Sequence, residues 1–218
     1  IFPKKGEIYF AGALENNEDT GTLQYLASTA MEAGFSTRVL DMQALDLQNG
    51  RFFDPAGELV NRCFKLYPWE WMVDESPDGC LAEMEWLEPI WKLVMSNKAI
   101  LATLYELFPD SPYVLPCYLS RPRSGLFCKK PVFSREGHNV SVVDIRDWEE
   151  YVRIAETEGD YNTGAYVYQE YVEPTAYSGR YPVIGSWIIG GEAAGIGIRE
   201  NRMEVTDNLS EFVPHIIG

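Results

Sequence analysis

Four short segments carry residue types suited to holding an anionic ligand. Lys98 stands in the first turn of an apolar-striped helical segment. A cation there opposes the helix dipole when the site is bare, and cooperates with the helix end when an anion is bound. The alternative is a lysine that reaches into water. Lys129 and Lys130 lie inside the β-patterned run Leu126 to Phe133. Side chains alternate along a strand, so Lys130 shares a face with Cys128 and Val132, and Lys129 sits beside Phe127. One of the two therefore meets the more buried face, where a lysine needs an anionic partner; the alternative is an edge strand charged against aggregation. Ser134-Arg135-Glu136-Gly137-His138-Asn139 follows that run. A loop with a glycine and free backbone N–H groups can wrap phosphate oxygens, and Arg135 offers a rigid fork to a phosphate or a developing carboxyl charge. The same residues also suit a polar hairpin turn. Gln169-Glu170-Tyr171-Val172 ends a strand running into Pro174. It can offer backbone groups to the edge of a base and Val172 to its face, or be an ordinary amphipathic strand.

Other chemistries find no support. The chain has no G-x-x-x-x-G-K-[ST] loop, no H-E-x-x-H and no G-x-S-x-G, which leaves a serine or zinc hydrolase without its signature. The glycine-rich run Gly191 to Gly197 lacks the strand-to-helix context of a dinucleotide site. The four cysteines (Cys63, Cys80, Cys117 and Cys128) show no C-x-x-C pair, and the only histidines are His138 and His215. Reduced thiols are the better reading than a disulfide framework or a zinc site. A formal charge of −15 repels nucleic acid and anionic lipid and attracts cations such as polyamines, or serves only solubility. The longest apolar stretch, Tyr181 to Ile198, carries Glu192 and five glycines and reads as strands with a turn, not as a membrane span. With no signal peptide at its start, the expected compartment is the cytoplasm. The chain opens at Ile1 and ends on an apolar run, so it is read as a piece of a longer or processed protein.

These residues need elements to position them. Residues 7–11 read as a buried strand and 15–20 as a polar loop. Leu23, Leu26, Ala27 and Ala30 form one helical face, with Asp19 or Thr20 as its cap and Gly34 at its end. Val39 and Leu40 belong to the next strand. Strand–loop–helix–strand is the grammar of a parallel α/β layer, which binds ligands at the carboxyl ends of its strands. The aromatic run Tyr67-Pro68-Trp69-Glu70-Trp71 is expected to pack. Leu81 to Phe108 has a helical pattern broken by Pro89 and again near Ser96, a candidate cap; Ile100, Leu101, Leu104, Leu107 and Phe108 form the second helix's stripe. Beyond 110, runs at 112–119, 125–133, 139–145, 165–173, 181–190, 193–198 and 203–206 read as strands of an antiparallel sheet, with one helix at about 147–156.

In this order and spacing the segments resemble the glutathionylspermidine synthetase family, which has an ATP-grasp fold. The resemblance is carried by Tyr67-Pro68-Trp69-Glu70-Trp71-Met72, Ser96-Asn97-Lys98-Ala99-Ile100-Leu101, Lys129-Lys130-Pro131-Val132-Phe133-Ser134-Arg135-Glu136-Gly137, Gln169-Glu170-Tyr171-Val172, Tyr181-Pro182-Val183-Ile184-Gly185-Ser186-Trp187 and Gly197-Ile198-Arg199-Glu200. It covers nearly the whole chain and is nearest to the stand-alone acid–amine ligase branch, which lacks an amidase domain. The fold it implies is mixed α+β and α/β: an ATP-grasp-like antiparallel sheet preceded by a small strand–helix–strand unit, with the N-terminal part of the family domain missing. The expected division is 1–75, a substrate-side α/β subdomain with the aromatic loop, and 76–218, the nucleotide-binding subdomain.

The same resemblance implies roles. Lys98 and Lys130 bind ATP phosphates, the loop with Gly137 closes over them, and Gln169, Glu170, Tyr171 and Val172 line the adenine pocket. Arg135 stabilises the transferring phosphoryl group, with Arg199 near the nucleotide and substrate. Glu18, Asp19 and Thr20 meet the substrate amine, and Asp207 is a further candidate for that task. The implied reaction joins a glutathione-like carboxylate to a polyamine-like amine through an acyl phosphate, with ATP and Mg2+. The family's magnesium ligands lie upstream of residue 1, so no metal ligand is assigned here. Glu15-Asn16-Asn17-Glu18-Asp19-Thr20 imitates their spacing, but its flanks fit the substrate loop. The alternative function is a nucleotide- or peptide-binding module without catalysis. No nucleic acid or membrane partner is expected.

Overall fold

The computed structural model describes residues 6–147, 151–161, 164–205 and 210–216. The chain divides into two compact units, Ile1–Val94 and Met95–Gly218. The first holds β1 (Glu7–Gly12), α1 (Asn17–Glu32), β2 (Ser36–Asp41), β3 (Asp46–Gln48), β4 (Arg51–Phe53), β5 (Leu59–Val60), β6 (Arg62–Leu66), α2 (Trp69–Glu75), α3 (Pro77–Cys80) and β7 (Glu85–Leu87). Its main sheet runs in the order β2-β1-β6-β7, and each of the three pairings is parallel. β3, β4 and β5 form a separate antiparallel sheet.

β1 is central, so both of its faces are covered and its sequence Ile8-Tyr9-Phe10-Ala11 is continuously apolar rather than alternating. Ile8 and Phe10 pack with Leu23 and Ala27 of α1. Tyr9 and Ala11 pack on the other side with Phe52, Val60, Cys63, Trp69, Met72 and Trp86. α1 starts one turn earlier than its sequence suggests. Asn16 is the N-cap, its Oδ1 accepting from Glu18 N at 2.9 Å, while Asp19 and Thr20 lie inside the helix. Glu18 and Asp19 in the first turn favour the positive end of its dipole. Gly34, with φ +90°, follows the C-cap Ala33 in the left-handed conformation that suits a glycine there. In the aromatic run Trp69 is buried and meets Trp86 edge-on at 5.6 Å. Trp71 stays 41% exposed and leans on Tyr67.

Asp54 is a buried carboxylate tying the sheet to the β4–β5 turn. It accepts from the N–H groups of Glu58 and Ala56, both at 2.9 Å, from Arg38 Nη1 at 2.8 Å and from Tyr9 Oη at 3.2 Å. The Glu58 N–H foremost, with Tyr9, Ala56 and Arg38, holds its pKa below the ordinary value against the opposing effect of burial. A depressed folded-state pKa contributes stability above the unfolded value, about pH 4, and the contribution disappears as pH falls through the folded value. Asp54→Asn is therefore expected to lower the thermal unfolding midpoint at pH 7. Its deficit relative to the parent should shrink below about pH 4, as unfolding followed by circular dichroism across pH will check.

The expected boundary at 75/76 moves to 94/95 because β7 pairs with β6 through Arg62–Glu85, Cys63–Trp86 and Phe64–Leu87. The helical pattern from Leu81 is thus interrupted by a strand: Trp86 fills the core of the parallel sheet, and tertiary pairing overrides local periodicity. α4 (Leu93–Ser96) and α5 (Ile100–Leu107) follow. The cap residue of α5 is Ala99, which makes no side-chain cap bond, and not the expected Ser96; Asn97 just before it accepts from Ala99 N through its Oδ1 at 2.8 Å.

The second unit carries a five-stranded antiparallel sheet, β11-β10-β9-β12-β8. Its strands are β8 (Cys117–Tyr118), β9 (Gly125–Pro131), β10 (Ser141–Ile145), β11 (Tyr151–Glu156) and β12 (Tyr166–Glu170). β13 (Tyr181–Ile189), β14 (Glu192–Asn201) and β15 (Glu211–Val213) form a further antiparallel sheet. Of the helix expected at about 147–156, residues 148–150 lie outside the described residues, and Tyr151–Glu156 is a strand paired with β10. Tyr151, Val152 and Ile154 suit a pleated surface better than a helix. Of the strand expected at 203–206, residue 206 lies outside the described residues and Met203 to Val205 belong to a run of bends that begins at Arg202, while 112–119 contributes only Cys117–Tyr118. Among the described residues no helix is long and apolar enough to cross a membrane.

Candidate functional site

A cleft of ≈ 410 Å³ opens within the second unit, in the range of small-molecule sites. Its floor is one face of β9, β10 and β12. Directly opposed residues of antiparallel strands share a face, and Cys128 lies opposite both Val142 and Gln169. Lys130, two residues along β9, points the same way. Cys128 and Val142 join Leu115 and Val172 as apolar lining. Burial pushes the Cys128 thiol up, against the opposing pull of the Lys130 charge, so Cys128 stays a neutral, packed thiol. At the far end of the same face, Ala102 of α5 packs on Cys117 and Val167.

That packing fixes Lys98. Its backbone N–H donates to Val132 O at 2.8 Å, fastening the approach to α5 onto the end of β9. Its Nζ donates to Ser134 O and, at 3.0 Å, to Ser134 Oγ. Lys130 Nζ donates to Gln169 Oε1 at 2.7 Å. That partner is a neutral amide, which orients the ammonium without cancelling its charge. Lys129 goes to the opposite face and stacks on the Tyr166 ring at 4.0 Å. The adjacent lysines are both half-buried, but only Lys130 enters the cleft.

Arg135, Glu136 and Gly137 line the cleft above these lysines. Glu136 has φ +58° and Gly137 +75°, a left-handed stretch that a glycine tolerates and a glutamate adopts only when its surroundings hold it there. At the other end, the N–H groups of Glu170 and Tyr171 are committed to Pro116 O and Leu126 O at 2.8 and 3.0 Å. Tyr171 Oη donates to Glu204 Oε2 at 2.7 Å, joining the end of β12 to the bends after β14. Burial, then the Glu204 carboxylate, raises the Tyr171 phenol well above its ordinary pKa, so it remains a donor at neutral pH. The result is an apolar slot for a flat ring at one end and two lysines, an arginine and a glycine loop at the other. A flat heterocycle carrying an anionic tail matches that polarity.

Of the residues singled out from sequence, Lys98, Lys130, Arg135, Gly137, Gln169, Glu170, Tyr171 and Val172 line this one cleft. Arg199 does not. It lies on β14 opposite Val183 and Phe212, its guanidinium 5.9 Å from the Phe212 ring. Glu18, Asp19 and Thr20 stand in the first turn of α1 in the other unit, where Thr20 Oγ1 donates to Leu14 O at 3.0 Å. Asp207 lies outside the described residues. Leu115, Val142, Glu204 and Val205 also line the cleft and were missed. Val142 was legible in principle, as the cross-strand neighbour of Cys128 in a β9–β10 hairpin; Glu204 carries no local signal. Among the described residues no group of three or more His, Cys, Asp or Glu gathers as for a metal.

The sequence matches the glutathionylspermidine synthase preATP-grasp family over residues 2–218. A Haemophilus influenzae protein provisionally designated an acid–amine ligase is 36% identical over 207 residues, covering 91% of this chain and 53% of that protein. Trypanothione synthetase of Crithidia fasciculata is 35% identical over 130 residues, 58% of this chain and 19% of that enzyme. The bifunctional glutathionylspermidine synthetase/amidase of Escherichia coli is 26% identical over 232 residues, 92% of this chain and 36% of that enzyme. The chain thus spans about half or less of the length of these relatives. The crystal structure of D-cycloserine synthetase DcsG superposes with a TM-score of 0.53 over 89% of this chain and 68% of that one, at 14% identity. At that identity the likeness is one of fold, and the fold is ATP-grasp-like.

Proposed function

The chain belongs to the glutathionylspermidine synthase family, and from that premise we propose that its cleft is the ATP site of a ligase joining a carboxylate to an amine. The observation that supports this most directly is the convergence of Lys98, Lys130 and Arg135 beside an apolar slot. The net charge of −15 disfavours anions in general, so a local cluster of cations is what an ATP site on this surface needs. The adenine ring fits the slot between Cys128, Val142 and Val172. With the Glu170 and Tyr171 N–H groups already engaged, its edge is read by the Glu170 carbonyl and the Val172 N–H. The phosphates extend toward Lys130, Lys98 and the loop at Gly137.

In this reading the substrate carboxylate attacks the γ-phosphorus, breaking its bond to ADP and forming an acyl phosphate. The amine then attacks the acyl carbon and expels phosphate. Negative charge grows on oxygen in both steps, and cations already fixed by Ser134 and Gln169 stabilise it without reorganising. A loop over the phosphates keeps water from the acyl phosphate. Arg135 acts on the transferring phosphoryl group. Arg199, from its place on β14, is proposed only to act near the substrate. Glu18, Asp19 and Thr20 are proposed to receive a polyamine-like amine, with Asp207 as an alternative candidate for that task, and the carboxylate is that of a glutathione-like peptide. Magnesium finds no cage of hard oxygen ligands among the described residues, and no step is assigned to it here. The reaction predicts that the complete protein forms ADP only when a peptide carboxylate and an amine are both present. A coupled ADP assay with each omitted in turn checks this, and no turnover by the folded complete protein with any amine of a broad panel would sink the proposal.

A further inference from the structure

The loop over the lysines is held from outside the cleft by residues to which no role has been given. After β11 the chain passes through Thr157-Glu158-Gly159-Asp160-Tyr161, which runs against the back of the loop. Thr157 Oγ1 donates to Gly137 O and accepts from Val140 N at 2.9 Å. Thr157 N donates to Val140 O at 2.9 Å. Asn139 grips the same segment with both ends of its amide: Nδ2 donates to Gly159 O at 2.9 Å and Oδ1 accepts from Tyr161 N at 2.7 Å. The His138 and Tyr161 rings meet edge-on at 5.9 Å. Gly159 is pressed so close that a Cβ there would fall 2.5 Å from His138 Cβ and 2.8 Å from Asn139 Oδ1. Glu136 adopts a positive φ of +58°, which a glutamate keeps only where neighbours impose it, and Asn139, at +55°, is a residue type that tolerates this region.

We propose that Thr157 and Asn139 are positioning residues that hold Arg135 to Gly137 against the phosphates, so that loop 134–139 and segment 157–161 act as one clamp. The inference rests on the ATP reading of the cleft. It also differs from a free flap. Lys98 fixes the loop's start through Ser134, Asn139 and Thr157 fix its end, and only Arg135 to Gly137 between them face the ligand. Removing the clamp loosens contacts to phosphate and leaves the base slot, built by β9, β10 and β12, unchanged.

The test compares ATP with adenosine, which has no phosphate, by calorimetric titration of the complete protein and two variants. Asn139→Gly removes both side-chain bonds while tolerating the positive φ, and Thr157→Val removes the hydroxyl at nearly constant volume. Each is expected to weaken ATP binding about tenfold, the loss of a part-buried hydrogen-bonded contact, with adenosine affinity unchanged. Thr157→Ser, which keeps the hydroxyl, should restore ATP affinity. Two folded variants with parental ATP affinity, or equal losses for ATP and adenosine, overturn the clamp. If one variant does not fold, the other decides. Failure of the ATP reading itself is distinguishable, because the parent protein would then show no saturable ATP binding.

Discussion

Lys130→Ala is expected to weaken ATP binding by roughly 30- to 150-fold, about 2–3 kcal/mol for one hydrogen bond to a charged group. The size follows from where Lys130 lies. It is half-buried on the floor of the cleft, on the same face as Cys128 and Val142, and oriented by a neutral amide, Gln169. In the proposed ATP site its charge would meet a phosphate in an environment drier than the surface, where charged hydrogen bonds count for more. Truncation removes the cation and leaves the fold nearly untouched, since its neighbours on that face pack with one another. Gln169→Leu should give a smaller loss, because it removes the group that aims Lys130 and not the charge. Titration of each variant at fixed salt measures both.

Arg135→Ala is expected to lower kcat of the complete protein by about 10²–10³-fold, the usual effect of removing one preorganised donor to a developing charge, with a smaller change in ATP affinity. Arg135 lines the cleft from the loop together with the two lysines, so in the proposed reaction its fork would meet charge that appears as the phosphoryl group moves. Arg135→Lys should recover little, since a single ammonium cannot reproduce two parallel donors. Steady-state kinetics with both substrates saturating separates the two effects. A fall in kcat/KM with kcat unchanged would assign Arg135 to ground-state binding instead.

That Lys98, Lys130, Arg135, Gly137 and Gln169 to Val172 belong to one site was implied by the family resemblance, while strand periodicity decided only which side chains of β9 share a face. Lys130 with Cys128, and Lys129 apart from them, follows from alternation alone, and the structure separates them so. The β1–α1–β2 unit was legible for the same kind of reason, its apolar residues recurring at strand and helix spacing. What escaped depends on partners distant in sequence. Tyr151–Glu156 and Glu85–Leu87 are strands because β10 and β6 offer them edges, and nothing within six or three residues announces a partner. The boundary after Val94 moved with β7. Glu204 reaches the cleft through Tyr171, 33 residues away, and Arg199 turns toward Phe212 instead of the cleft because of its β14–β15 register.

The most direct test of the central claim uses two adjacent lysines on opposite faces of β9. ATP is titrated calorimetrically into the complete protein and into Lys129→Ala and Lys130→Ala, each verified as folded. Saturable one-to-one binding should survive in Lys129→Ala and be largely lost in Lys130→Ala. Parental affinity in Lys130→Ala, or no saturable binding by the folded complete protein, would contradict the placement of the ATP site in this cleft.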